Sequence, residues 1–163
     1  MVKEIPDLDL FHPDTPDPDH AAEIAIAAEQ KALSFSDKIK QSDGASYDSH
    51  YGLKVYGNSH GMLASYASSR HSTSCCVIGQ GESGVMERDY SYTVARHKED
   101  LWTPESVGLK AAEKTISRLD AQKLKTGMYP VMFAADVATG LLGHLVMAIS
   151  GGNLYRKLSL IHI

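Results

Sequence analysis

The stretch 140–157, GLLGHLVMAISGGNLYRK, is the part of the chain that can be tested most directly against a chemical requirement. A zinc peptidase helix needs two imidazoles on one face to hold the metal, and a carboxylate beside the first to handle the water proton. In this stretch His144 is the single imidazole and no carboxylate is present. The stretch therefore predicts an apolar helix without a working metal site. We expect His144 to be buried, neutral and held by one hydrogen bond.

Glycines recur in the same stretch and need their own explanation. A glycine inside a helix costs roughly 1 kcal/mol relative to alanine, so a helical glycine should have a compensating role. Close packing of another segment against Gly143 is the preferred interpretation, and a peptide that passes over this glycine is the functional alternative. Gly151 and Gly152 are expected to end the helix.

A second candidate site is the loop 56–61, YGNSHG, between two predicted strands. Its two glycines are typical of a hairpin turn, where they supply a backbone with positive φ. The functional alternative is a loop that reaches a partner or a peptide through Asn58 and His60. The residues alone leave both interpretations open.

Two further sets of polar residues could be assembled into sites, but neither follows a recognised pattern. His60, His71 and Cys75 offer zinc ligands, yet their spacing matches no common ligand set. A serine hydrolase of the G-x-S-x-G type would need that elbow, and none is present. The polar strand residues are therefore expected on the solvent face of a sheet; they are His71, Ser72, Ser74 and Asp89.

Composition and charge narrow the class of protein. The 163 residues are 43% apolar and 22% charged, with a net charge of −4, as is ordinary for one globular domain. No cluster of Lys and Arg forms a basic stripe, so nucleic acid is not expected as a direct ligand. The apolar stretch 137–149 is shorter than the roughly 20 residues needed to cross a membrane. Cys75 and Cys76 are adjacent, a strained arrangement for a disulfide, and are expected to be reduced in a cytoplasmic protein.

The N-terminal part predicts a linker and then a helix. Residues 1–18 are rich in Pro and Asp, which is typical of an extended linker. An apolar face with helical spacing follows at 19–35, and either Asp17 or Asp19 could cap that helix.

The middle of the chain predicts an antiparallel sheet between residues 42 and 96. Turn residues at 42–44, 57–61 and 79–84 separate the strands, and 62–69 and 71–78 are expected to be distinct strands. The clearest strand is 85–96, where two sets of residues alternate with period two and predict one buried and one solvated face. The first set is Met86, Tyr90, Tyr92 and Val94, and the second is Glu87, Asp89, Ser91 and Thr93.

The C-terminal part predicts two helices and one strand. Thr103 and the proline that follows it favour a helix at 104–119. A short buried strand is expected at 129–134, and the apolar helix at 136–150. The order of these elements indicates an α+β fold, an antiparallel β-sheet flanked by helices.

Three runs of residues resemble the PmbA (TldE) branch of the TldD/PmbA family, and the resemblance extends over almost the whole chain. They are VYGNSHG at 55–61, MERDYSYTVAR at 86–96 and GHLVMAISGGNLYRK at 143–157. Members of the family are longer than this chain. The resemblance therefore implies an internal fragment, in which 19–163 is an incomplete α+β domain truncated before the family's C-terminal domain. Residues 160–163 no longer resemble the family.

The resemblance also implies where a metal site would lie. In this family the zinc subunit, TldD, carries an H-E-x-x-x-H helix followed by an Arg-Lys pair. Alignment on Arg156 and Lys157 places Gly143 at the first histidine. His144 then occupies the position of the glutamate, and Ala148 that of the second histidine. No metal or cofactor is therefore expected in this chain, zinc is expected in a TldD-like partner, and Arg156 is a candidate contact to a partner or peptide.

The function that the resemblance implies is that of a non-catalytic subunit in a cytoplasmic metallopeptidase. It would pair with a TldD-like zinc subunit, or with a second copy of itself, and offer strand edges to an extended peptide during peptide maturation. One alternative is an active peptidase in its own right. The other is a non-enzymatic modulator that binds DNA gyrase or another protein. Neither nucleic acid nor a membrane is expected as a direct partner.

Overall fold

The computed structural model describes residues 6–158. By its internal contacts the chain divides into two compact units, residues 1–122 and 123–163. The sequence-based prediction treated 19–163 as one incomplete domain and did not include this division. Within the described residues, every helix is too short or too polar to pass through a lipid bilayer.

The first unit contains two helices that begin where their sequences predict. Helix α1, Pro18–Leu33, has a proline in its first turn, but its N-cap residue Asp17 makes no side-chain capping bond. Helix α2, Pro104–Arg118, is capped by Thr103, whose side-chain oxygen accepts a hydrogen bond from the Ser106 amide at 3.3 Å. This bond satisfies one of the amides that a helix N-terminus leaves without a partner.

Three strands form one antiparallel sheet in the order β1-β2-β3, as the sequence predicts. The strands are β1, Ile39–Gly57, β2, Leu63–Gln80, and β3, Met86–Ala95. Two local predictions are wrong. The turn expected at 42–44 is an irregularity within β1, where the register shifts between Ser42 and Gly44. The strands expected at 62–69 and 71–78 are one continuous strand.

Strands β1 and β2 extend well past β3. Strand β3 pairs only with residues 71–80 of β2, whereas β1 and β2 remain paired as far as Gly57 and Leu63. Residues 51–69 therefore form a two-stranded ribbon that projects from the sheet. The ribbon exposes large apolar side chains, including Leu53 (69% exposed) and Leu63 (78% exposed).

The two helices of the first unit cover one face of the sheet. The core between them is a cluster of small and medium apolar residues: Ala28, Ala32, Ile39, Cys75, Val77, Val107, Ala111 and Ala112. At the crossing of the helices, Gly108 lies directly against the backbone of Ala28. A Cβ on Gly108 would overlap the Ala28 carbonyl oxygen and stand 2.9 Å from the carbonyl carbon. Glycine therefore permits the close approach of α1 and α2.

The alternation predicted in β3 is present, and its buried side is the row of small hydroxyl residues. Ser91 and Thr93 are 3% and 7% exposed, whereas Tyr90 and Tyr92 are 55% and 49% exposed. Helix α2 packs against the buried side of β3. The small residues of α2 pack closely against β3, so the space between them admits hydroxyl side chains but not phenol rings. Thr93 also accepts a hydrogen bond from the Trp102 amide at 3.2 Å, so its buried oxygen is satisfied.

The second unit contains helix α3, Ala135–Ala148, and the short helix α4, Gly151–Tyr155. The strand expected at 129–134 is absent: this segment has no regular structure, and the Tyr129 hydroxyl donates to the Lys125 carbonyl at 3.0 Å. A strand needs a neighbouring strand to pair its backbone groups, and the described part of this unit provides none. Helix α3 has no buried residue.

Candidate functional site

The three positions that the resemblance assigns to the two zinc-binding histidines and the glutamate all lie in α3. Gly143 has no side chain, and Ala148 offers only a methyl group. His144 offers one ring nitrogen, but it is exposed rather than buried, so the expected core histidine is wrong. One nitrogen does not make a zinc site, which needs three or four ligands. The residues at these positions do not fit a catalytic zinc ion, and no metallopeptidase step can be derived from this helix.

The glycines of this region differ from their predicted roles. A Cβ added to Gly143 would meet nothing within 4 Å among the described residues, so the expected close packing against it is not found. Helix α3 ends at Ala148, before the two glycines, and Gly151 begins α4. Arg156 follows α4 directly and is exposed.

Asn58 and His60 lie in the turn that joins β1 to β2. The Asn58 side-chain oxygen accepts hydrogen bonds from the amides of His60 at 3.0 Å and Met62 at 3.2 Å. Gly61 has φ +85°, the positive value expected for a turn glycine. The carbonyl oxygen of the Asn58 side chain is therefore committed to the turn. The ring of His60 is exposed at the tip of the ribbon.

The structure does not bring the polar residues considered for a zinc site or for a serine hydrolase into a reactive arrangement. His71 is fully buried, not on the solvent face. Its Nδ1 lies 2.9 Å from the Ser49 hydroxyl and its Nε2 lies 2.9 Å from the His12 carbonyl oxygen. Both ring nitrogens thus have partners, and His71 has a structural role in the core.

The two cysteines are free thiols on opposite faces of β2. Cys75 is fully buried beneath the helices, and burial raises the pKa of its thiol to about 11, with a smaller contribution from the negative charge of Glu29. Cys76 lies on the other face and is partly exposed. Burial also raises the pKa of Cys76, although the positive charge of Arg88 opposes the shift. Neither thiol has the lowered pKa of a nucleophile.

One cluster of ligating side chains was not found from the sequence. Asp9, His12 and His97 place one ligand atom each within 4.8 Å of one another. Asp9 and His12 belong to the segment predicted as a linker, and His97 follows β3. The spacing of Asp9 and His12 was the available signal, but His97 is distant in sequence and only the fold brings it close.

Comparison with known proteins identifies the family of this chain. A sequence model of the "PmbA/TldA metallopeptidase central domain" matches residues 11–119. Metalloprotease PmbA of Escherichia coli O157:H7 is 56% identical over 157 residues, which cover 96% of this chain and 35% of that protein. The Haemophilus influenzae homologue is 53% identical over 159 residues, 98% of this chain and 35% of that protein. The chain thus spans about a third of the length of the curated relatives it matches.

Two solved structures share the fold. One, from Thermotoga maritima, superposes with a TM-score of 0.87 at 21% identity and covers 99% of this chain and 37% of that one. The other, from Bacteroides thetaiotaomicron, has a TM-score of 0.81 at 23% identity, with 98% and 39% covered. Both are described in relation to modulation of DNA gyrase. At these identities the likeness establishes the α+β fold, and the matched domain establishes the family: the chain belongs to the PmbA/TldA metallopeptidases.

Proposed function

We propose that this chain is part of a non-catalytic, PmbA-type subunit that pairs with a zinc-bearing, TldD-like subunit in a cytoplasmic peptidase. The observation that carries the proposal is the helix α3. By the resemblance, Gly143, His144 and Ala148 correspond to the two histidines and the glutamate of the zinc subunit, and together they offer one ring nitrogen. A subunit with this helix depends on a partner for the metal and for the activated water.

The surface of α3 supports pairing. Its large side chains are apolar and open to solvent, among them Leu142 at 64% and Val146 at 64% exposed. An apolar surface of this kind on a protein in water marks an interaction site. A partner that covered this helix would remove these side chains from water, at about 25 cal/mol for each Å² buried.

The sheet offers a means of holding an extended peptide. Strands β1 and β3 are the outer strands of the sheet, so each has one edge that pairs with no other strand among the described residues. A peptide in extended conformation can add to such an edge through backbone hydrogen bonds, without a requirement for particular side chains. This mode suits a peptidase that processes unfolded chains, with Asn58, His60 and Arg156 as candidate contacts to peptide or partner.

The test is to measure zinc content and peptidase activity of a full-length relative that carries this chain, with and without its TldD-like partner. We expect no stoichiometric zinc and no hydrolysis alone, and activity with the partner. His144→Ala should leave the zinc content and the activity of the pair unchanged. Stoichiometric zinc that is lost in His144→Ala would instead favour an active peptidase in its own right.

The alternative of a non-enzymatic modulator is favoured by the descriptions of the two structural neighbours. A pull-down with the full-length relative distinguishes it from the pairing proposal. Retention of DNA gyrase in the absence of a TldD-like subunit, without any activity in the reconstituted pair, would support the modulator.

A further inference from the structure

The N-terminal segment, residues 7–14, lies across the sheet at the root of the ribbon and is fixed there by hydrogen bonds. The Ser69 amide donates to the Leu10 carbonyl at 2.9 Å, and the His12 amide donates to the Ser69 hydroxyl at 2.8 Å. The Tyr51 hydroxyl bonds to the backbone of Asp14. These bonds set the position of the His12 side chain, which is half-buried rather than free in solvent.

His97 meets His12 at this point. It lies two residues after β3, and the two imidazole rings face each other with centroids 3.4 Å apart and planes inclined by 26°. The Nε2 atom of His12 also lies 3.2 Å from a carboxylate oxygen of Asp9. Two imidazoles and one carboxylate thus converge from two separate segments of the chain. In the described residues this is the one group of three such side chains with mutually close ligand atoms.

We propose that Asp9, His12 and His97 bind a divalent transition-metal ion of the zinc class, which fastens the N-terminal segment to the end of β3. Two nitrogens and one carboxylate oxygen are a donor set that suits Zn²⁺, Co²⁺ or Ni²⁺, whereas Ca²⁺ and Mg²⁺ prefer oxygen alone. The ion would have a structural role, and none of its ligands would come from α3.

The stacked arrangement must open to receive the ion, because the two rings present their faces to each other and His12 Nε2 lies 3.0 Å from the Asp9 carbonyl oxygen. Zinc holds nitrogen and oxygen at roughly 2.0–2.2 Å, so its ligand atoms stand about 3.4 Å apart, compared with up to 4.8 Å here. His97 is exposed and lies two residues beyond the end of β3, so its ring can turn its edge toward His12. Water would complete the tetrahedron, since three protein ligands leave one position open.

The charges around the cluster favour a cation. Asp14 and Glu99 line the same cleft of about 380 Å³ together with the two histidines. The one lysine there, Lys98, is paired with the Asp14 carboxylate at 2.9 Å. With Asp9 included, three carboxylates face one ammonium group, so the cleft is net negative and attracts a divalent ion.

The experiment is a titration of the full chain with Co²⁺, followed by absorption, and with Zn²⁺, followed by calorimetry. We expect one ion per chain, with Co²⁺ bands of a tetrahedral or five-coordinate site. His97→Ala and Asp9→Asn should each weaken binding at least tenfold. The matched control is His60→Ala, which removes an exposed imidazole from the tip of the ribbon and should leave the affinity unchanged.

A second measurement separates loss of a ligand from loss of the fold. Without metal, the thermal unfolding midpoint of Asp9→Asn should equal that of the unmodified chain, because this carboxylate is exposed. With saturating Zn²⁺, the midpoint should rise in the unmodified chain and in His60→Ala but not in Asp9→Asn. Absence of one-to-one binding, or equal weakening by His60→Ala, would overturn the proposal. Zinc lost on His144→Ala but not on His97→Ala would place the metal elsewhere.

Discussion

Helices α2 and α3 have similar lengths and opposite environments. Helix α2 carries Lys, Glu and Arg along its exposed side and still buries five residues, at Val107, Gly108, Ala111, Ala112 and Thr115. Helix α3 is almost entirely apolar and buries none. The more hydrophobic helix is therefore the one with less cover in the described residues.

The apolar content of a helix thus indicates that the helix needs to be covered, but not which part of a protein covers it. An amphipathic pattern such as that of α2 shows which side faces a core. A helix that is apolar on every side indicates burial from several directions, and the chain described here covers a third of its relatives' length. The comparison can be tested by making matched changes in the two helices.

The largest expected effect comes from Gly108→Ala. The new methyl group would overlap the backbone of Ala28, which cannot move unless the whole of α1 shifts. Overpacking of this kind costs about 1–3 kcal/mol, and backbone contact puts this site at or above the upper end. Urea unfolding followed by circular dichroism measures the free energy of unfolding directly.

The control for that change is Gly143→Ala in α3. Nothing lies within 4 Å of the added methyl group, so the change should strengthen the helix by about 1 kcal/mol through helix propensity alone. The same substitution thus has opposite signs in the two helices. A large loss of stability in Gly143→Ala would show that α3 is closely covered after all.

Val146→Lys should have a smaller effect on stability than the glycine substitutions, but it should clearly reduce association of the chain. The exposed apolar side of α3 should cause the chain to associate at micromolar concentration and to be less soluble than a full-length relative. A charge at Val146 should lower the associated fraction and change the free energy of unfolding by less than about 0.5 kcal/mol.

Light scattering measures the association. The control Thr139→Lys separates the effect of an added charge from the effect of a lost apolar side chain. Thr139 lies on the same helix and gains the same charge without loss of a large apolar group. An unmodified chain that stays monomeric and binds no hydrophobic dye would contradict the prediction. It would mean that the rest of this chain covers α3.

The smallest expected effect is a difference in reactivity between the two thiols. One lies on the covered face of the sheet and the other on the uncovered face. Cys76 should react with a thiol reagent faster than Cys75, because Cys75 lies beneath the helices. Both should react slowly at pH 7, since burial raises both pKa values and little thiolate is present. Mass spectrometry of the labelled chain between pH 7 and pH 9 measures the two rates.

The thiol of Cys75 also predicts how stability depends on pH. Its pKa of about 11 in the folded chain exceeds the value of 9.0 for a free thiol. The unfolded chain therefore loses this proton first as pH rises. The contribution to stability is complete below about pH 9 and falls as the pH rises from 9 towards 11. Cys75→Ser should flatten that decline.

The sequence predicts features that depend on neighbouring residues and misses those that depend on distant ones. Thr103 caps α2 through an amide three residues away, and Gly61 completes its turn within five residues, so both were predictable. The buried face of β3 was not, because the cover over Ser91 and Thr93 comes from α2, a separate helix whose packing side the strand's own residues do not reveal. A tyrosine row would otherwise be the better candidate for a core.

The same distinction between local and distant residues applies to the candidate site. That Gly143 and Ala148 cannot bind a metal through their side chains is visible in the residues themselves, because no folding can give them a donor atom. The meeting of His12 with His97 is not, because it requires an N-terminal segment to cross the root of the ribbon. That segment carries no periodic pattern, only prolines and acidic residues, and its position is set by backbone bonds to Ser69.

The core histidine offers a direct spectroscopic signal. The Nε2 atom of His71 faces a carbonyl oxygen and must carry the ring proton, so Nδ1 accepts from Ser49 and a single tautomer is defined. A ring proton on a fully buried side chain, held in a hydrogen bond, exchanges slowly with water. It should therefore give a resolved proton resonance in an NMR spectrum, correlated with a protonated ring nitrogen. Because the acceptor is the backbone of His12, this one resonance would report whether the N-terminal segment is in place, with or without a metal ion.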